Sequence, residues 1–348
     1  MQKTGTLRDS KYDIIKYVLS LFVLAIHCEL LPFVLYPWLR TAVPLFFMLS
    51  SYFLFSGIRK APKEKQNTLV KKFVLRNLKL YLCWFVILLP MTLYIRRNAY
   101  FPGDLWLGIR NFLRGLCWES TFVASWFLKA TVCGTLVIYG LSRVFKRDWP
   151  IFLISLLAFT LVTLSSGYSS CIAGTFLQRV IHLWNRIFAD MIFSFPAALI
   201  WIFLGKLFAE GKVKTLPPWL LISSLVLSCA GFYWEWRFVI RLDSSYNNDS
   251  YFMLLPVCFF LFAGIQRLPP VNWPLSVYLK HASTVTYVAH GSLLLTFLFL
   301  ARKIHGNVSA FVTFPVVWAF CLILTALIEY ANRKCANRKS GKLFRLLY

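Results

Sequence analysis

The chain reads as an all-α polytopic membrane protein, and three observations carry that reading. Its mean hydropathy is +0.64, with 59% apolar and 18% aromatic residues in 348, values too high for a water-soluble domain with an ordinary polar exterior. The apolar residues gather into about ten stretches, each close to the roughly 20 residues that cross the hydrocarbon as a helix. The basic residues are distributed unevenly around those stretches. No gap is long enough for a separate soluble domain, so residues 1–348 form one transmembrane domain with short cytoplasmic tails at 1–12 and 331–348.

The predicted windows run, in order, over 13–35, 41–57, 79–95, 121–142, 150–166, 190–209, 217–234, 251–266, 283–301 and 309–330. With the amino terminus inside, most of the 38 Lys and Arg residues fall in cytoplasmic segments. That positive-inside pattern places both termini in the cytoplasm. The net charge of +25 therefore reflects membrane topology and contact with anionic lipid, not a nucleic-acid site. The basic stretch from Arg59 to Lys79 reads as a cytoplasmic loop facing anionic lipid, one that could equally receive a phosphate-bearing donor. The first window is retained: Cys28 follows a long apolar run as a lipoprotein cysteine does, but His27 stands where a small residue is required. The nine cysteines are scattered singly, without metal-ligand spacing. Cys117 and Cys171 both fall in predicted outer loops, where an oxidising compartment permits a bridge.

The first window carries the leading candidate for chemistry. His27 lies about halfway along it, where hydrocarbon excludes ionisable groups unless they face a protein-lined cavity. Lys16, eleven residues earlier, shares a helix face with it about 16 Å away along the axis. In the second window Arg40, Pro44, Phe47 and Ser51 form one stripe. Arg40 can snorkel to the headgroups there, and Ser50 and Ser51 can bond back to helix carbonyls. Lys129, in the segment Ser125-Trp126-Phe127-Leu128-Lys129, must pair, line a wet cavity or lose its proton, with Glu119 and Asp190 as potential partners. Arg186 and Asp190 have the spacing of a helix-end pair. Ser283, Tyr287 and His290 share a face in the ninth window, where a histidine is as readily a packing residue as a functional one. His182, His281 and His305 fall in loops or at interfaces.

No phosphate-cradling glycine loop, metal-ligand cluster or nucleophile elbow is present. What remains is an intramembrane histidine suited to general-base work on a hydroxyl, with basic residues able to hold an anionic cosubstrate.

The order Asp13-x-x-Lys16, then His27, then Arg40-x-x-Val43-Pro44-Leu45-Phe46-Phe47-Met48-x-Ser50-Ser51-Tyr52 resembles the acyltransferase 3 family of integral membrane O-acyltransferases. The likeness continues through Ser125-Trp126-Phe127-Leu128, through Phe195-Pro196 with Leu204-Gly205, and through Tyr287 with His290. Two positions depart from it. Lysine stands at 16 where members usually carry arginine, which keeps the charge but loses the planar fork, and Ser51 replaces a glycine. The resemblance implies transfer of an acyl group, usually acetyl from acetyl-CoA, to a hydroxyl of a sugar, glycolipid or envelope polymer in a bacterial inner membrane. It implies His27 as general base or transient acyl carrier, and Lys16 with Asp13 on the donor side. Arg40, Ser50, Trp126 and Lys129 then position acceptor or oxyanion, and Tyr287 and His290 support them from behind. Acyl-CoA is a cosubstrate on this view. No tightly bound cofactor, metal or nucleic acid is implied; the partners are membrane lipids, the donor, a carbohydrate or glycolipid acceptor, with a homo-oligomer also open. Some members form the membrane portions of serine racemases implicated in amino-acid uptake. The alternative is therefore a proton-coupled transporter or flippase in which His27, Lys129 and Asp190 form a relay.

Overall fold

The computed structural model describes residues 9–30, 35–243, 248–304, 306, 308–335 and 346–348. Residues 31–34 of the first predicted window, His305 and most of both predicted tails lie outside them. Among the described residues the structure is helical, without a strand. In chain order the helices are α1 (Lys11–His27), α2 (Ala42–Lys60), α3 (Lys63–Ile87), α4 (Leu89–Ile95), α5 (Arg97–Tyr100), α6 (Leu105–Cys117) and α7 (Ser125–Val144). They continue as α8 (Asp148–Ser165), α9 (Phe176–Ile187), α10 (Pro196–Ala209), α11 (Pro218–Asp243), α12 (Leu254–Arg267), α13 (Ser276–Ile304) and α14 (Ala310–Lys334).

Among the described residues five stretches are long and apolar enough to cross a bilayer: Tyr36–Lys60, Ser125–Val144, Asp148–Ser165, Ser276–Ile304 and Ala310–Lys334. A sixth arises if α3 and α4, bent by 69° at their junction, make one span. The chain is thus a multi-pass all-α membrane protein, with fewer helices of spanning length than the ten windows suggest.

The differences have local causes. Window 79–95 breaks at Leu88 because Pro90, in the first turn of α4, lacks an N–H and its ring collides with the carbonyl one turn back. Window 190–209 yields a 3₁₀ turn at Met191–Phe193 and then the 14 residues of α10, opened by Pro196. The basic stretch is not a loop: only Ala61 and Pro62 separate α2 from α3, and the Lys, Glu, Gln, Leu and Arg that follow are strong helix formers. The predicted outer loops contain α5, α6 and α9, so His182 is helical, and Cys117 and Cys171 are exposed and unbridged.

The chain divides into two compact units, residues 1–31 with 262–348 and residues 32–261. In the first, α13 packs against both α1 and α14, around a core of Leu24, Cys28, Leu294, Val317 and Cys321. Polar bonds pin α1 at its start. Ser10 donates its N–H to the Val271 carbonyl at 2.7 Å, and the buried Lys11 ammonium donates to the Leu268 carbonyl at 2.7 Å. Burial alone would raise the Asp9 carboxyl, but the Lys11 and Val271 backbone N–H groups and the Lys11 ammonium outweigh it and hold the carboxyl below its usual range. Farther along, Ser283 Oγ donates to the Lys16 carbonyl at 2.9 Å, and Trp318 Nε1 to the Tyr17 hydroxyl at 2.7 Å. His281 is on α13 rather than in a loop, paired with Glu329 at 2.8 Å.

In the second unit α10 packs against α2, α7 and α8. It meets α2 closely at Gly205, where a Cβ would sit 2.4 Å from the Met48 carbonyl oxygen and 2.0 Å from Ser51 Oγ. Ser51 turns its hydroxyl back to the Phe47 and Met48 carbonyls, 2.9 and 3.0 Å away. Lys206, buried at the end of α10, meets Asp148 at 2.9 Å and Glu210 at 3.0 Å, fastening α10 to the start of α8. Lys212 joins this network. Burial would lower its ammonium, yet the bonds to Asp148 and Glu210 win and raise it.

Candidate active site

His27 is the last residue of α1 and is exposed. The helix that carries it therefore ends at the residue the sequence places about halfway along the first window. The end is built by a Schellman motif: Leu30 N–H bonds the Ala25 carbonyl at 3.1 Å and Glu29 N–H bonds the Ile26 carbonyl at 3.2 Å. The residue that must turn left-handed is Glu29, at φ 51°. Glycine would adopt that conformation freely, whereas a glutamate there stores strain of about 1 kcal/mol. Strained backbone of this kind concentrates at functional sites.

His290, on α13, faces His27 with ring centroids 5.0 Å apart and planes inclined at 33°. It is completely buried. Its Nδ1 lies 3.0 Å from the Thr286 carbonyl oxygen and 2.8 Å from that of Tyr287. The Tyr287 ring, also buried, lies 6.3 Å from the His290 ring. Lys16 is half-buried three turns before His27, and Asp13 is buried one turn earlier still. The structure therefore keeps Asp13, Lys16 and His27 on one helix and brings Tyr287 and His290 to the histidine end of this unit.

The other predicted residues belong to the second unit. Arg40 precedes α2 in the 3₁₀ turn Tyr36–Thr41 and pairs with Asp249, 5.4 Å above the Tyr36 ring. Pairing replaces the expected snorkelling. Ser50 is half-buried on α2. Trp126, at the start of α7, packs against the rings of Phe47 at 6.2 Å and Phe193 at 5.6 Å. Lys129 is buried, but it meets backbone rather than a carboxylate. Its ammonium donates to the Gly115 carbonyl at 2.8 Å and to the Glu119 carbonyl, and lies 5.1 Å from the Tyr81 ring centre. The Gly115 carbonyl lies in the last turn of α6 and the Glu119 carbonyl just beyond it, where helix ends leave acceptors unsatisfied and attract cations. The Glu119 carboxylate goes to Arg114 instead, at 2.8 Å. Because α9 ends at Ile187, Arg186 and Asp190 do not share a helix.

Sequence reasoning missed Asp249, since 209 residues separate it from Arg40 and no periodicity links them. Among the described residues no group of three or more His, Cys, Asp or Glu side chains could hold a metal.

Helical composition, spans of bilayer length and an imidazole pair at a helix end define a polytopic membrane protein with a candidate acid–base centre. The family model for the acyltransferase domain matches residues 9–331, and the chain belongs to that family. Among curated proteins it is similar to an amino-acid racemase of Enterococcus faecalis, 24% identical over 302 residues that cover 85% of this chain and 41% of the relative. It is also similar to a serine/alanine racemase of Enterococcus gallinarum, 25% identical over 306 residues that cover 80% of this chain and 41% of the relative. The chain thus spans well under half the length of these relatives. No solved structure matches it.

Proposed function

We propose that the protein transfers an acyl group, acetyl in the simplest case, from acyl-CoA to a hydroxyl of a sugar, glycolipid or envelope polymer at the bacterial inner membrane. The observation that carries this reading is an imidazole at the strained end of α1, three turns from a lysine on the same helix, within a family of acyltransferase domains.

His27 removes the proton from the acceptor hydroxyl as its oxygen attacks the thioester carbonyl. The carbon–sulfur bond then breaks, and the imidazolium returns its proton to the departing thiolate, leaving an ester and free CoA. The carbonyl end of α1 favours the positive charge that forms on His27 during the step. Lys16, with Asp13 behind it, serves the anionic donor. Arg40, Ser50, Trp126 and Lys129 are assigned to the acceptor or to the developing oxyanion.

Both termini are assigned to the cytoplasm on the positive-inside asymmetry, which puts Lys16 on the side where CoA is found. Two observations in cells test the reading. Deletion should remove an ester-linked acyl group from envelope glycan or glycolipid, seen by mass spectrometry, and a reporter fused after Tyr348 should behave as cytoplasmic. An unchanged acyl profile contradicts the reaction, and an external reporter reverses the assignment of the donor side.

A further inference from the structure

His290 carries a feature that packing does not explain. Both groups near its Nδ1 are backbone carbonyls, which only accept hydrogen bonds, so Nδ1 holds the ring proton. With that proton fixed, Nε2 presents a lone pair. Nε2 is buried and has no hydrogen-bond partner among the described residues. Buried acceptors are nearly always satisfied, and an orphaned one marks a place where a partner arrives.

Among the described residues, the rings set against that of His290 are those of Tyr287 and of His27, the latter with centroids 5.0 Å apart. An N–H···N bond of ~2.9 Å between two imidazoles places their centroids about 5 Å apart. The separation is therefore already that of a bonded pair. His27 stands at the end of its helix, beside the unsatisfied Nε2 of His290.

We propose that His290 is a positioning residue for His27: its Nε2 accepts the His27 ring N–H, and this leaves the opposite His27 nitrogen as the base. One imidazole is anchored to the backbone of α13 and sets the tautomer of the other, the part that a carboxylate or carbonyl plays behind many catalytic histidines. When His27 takes the hydroxyl proton, the N–H facing Nε2 becomes a stronger donor, so the bond strengthens as the charge forms. The catalytic half of this assignment rests on the acyltransferase reading. The pairing itself does not.

Two substitutions separate positioning from packing. His290→Asn keeps an N–H able to reach the Thr286 and Tyr287 carbonyls but removes the acceptor at the Nε2 position, whereas His290→Gln restores an acceptor near that position. In the purified full-length protein His290→Asn should lower kcat about 10- to 100-fold, with KM for acyl-CoA and acceptor nearly unchanged, and His290→Gln should recover much of the loss. Nitrogen-15 spectra of ring-labelled protein should show His290 protonated at Nδ1 alone. The His27 resonances should move in His290→Asn and return toward wild type in His290→Gln. A His290 proton on Nε2, or His27 resonances indifferent to both substitutions, overturns the pairing; an unchanged kcat in His290→Asn overturns its part in the reaction. Wild-type protein that transfers no acyl group refutes the acyltransferase reading instead, and the wild-type nitrogen spectrum still decides the pairing.

Discussion

Replacing His27 with alanine should lower acyl transfer by at least 100-fold, and abolish it if the imidazole also carries the acyl group, while membrane-inserted protein stays near the wild-type amount. A general base contributes about 10²- to 10⁴-fold to rate. The stability cost should be small, because the ring is exposed at the end of α1 and the core beside it is filled by Val23, Leu24, Ile26 and Cys28. No buried cavity is opened by the truncation. Transfer measured against the amount of protein in the membrane checks both halves. Full activity in the alanine variant contradicts the assignment of the base, and loss of the protein itself shows that His27 is structural.

The largest effect on stability should come from Gly205→Ala. Its new methyl would lie 2.4 Å from the Met48 carbonyl oxygen and 2.0 Å from Ser51 Oγ. A serine hydroxyl can rotate away; a helix carbonyl cannot, so α2 and α10 must separate. Overpacking a well-filled core costs about 1–3 kcal/mol even where side chains can yield, and here the obstacle is backbone. We expect a fall of several degrees in the apparent melting temperature in detergent, or failure to accumulate in the membrane. Adding Ser51→Gly should rescue only part of the loss, because the Met48 clash remains. The control is Gly140→Ala on α7, where a Cβ meets nothing within 4 Å and the better helix propensity of alanine should leave stability equal or improved. Equal melting of Gly205→Ala and wild type would contradict the packing described for α2 and α10.

Those two positions differ in how far the sequence reveals them. The Lys16–His27 spacing is a property of one helix, and a periodicity of 3.6 residues suffices to read it. The end of that helix is another matter. Helix stops are recognised by glycine or proline, and α1 stops on a left-handed glutamate, so the end of the helix at His27 carries no sequence signal. The stretch from Lys63 to Lys79 was masked by its charge, which resembles that of a loop although its residues favour helix. Span count suffered from the same local effects, since hydropathy windows pass over breaks such as the one at Pro90.

Partners distant in the chain were the least legible. Arg40 is readable as a cation at the outer end of the second window, but its pairing with Asp249 depends on packing within the unit. Lys129 demanded a partner, and carboxylates were the natural candidates. The structure satisfies it with the Gly115 and Glu119 carbonyls, which carry no sequence signature. His290 could be recognised as polar within an apolar window, whereas its orphaned Nε2 is visible only once the carbonyls of Thr286 and Tyr287 are in place.

The most direct test of the account is release of free CoA thiol by the purified protein in detergent. With acetyl-CoA and a panel of envelope sugars and glycolipids, release should accelerate when the correct acceptor is added and should require no membrane gradient. It should disappear in His27→Ala, and it should fall on acidification, because protonation removes the lone pair that a base needs. Thiol release that ignores every acceptor, together with gradient-driven solute flux in proteoliposomes that depends on His27 or Lys129, would contradict the account and establish a transporter in its place.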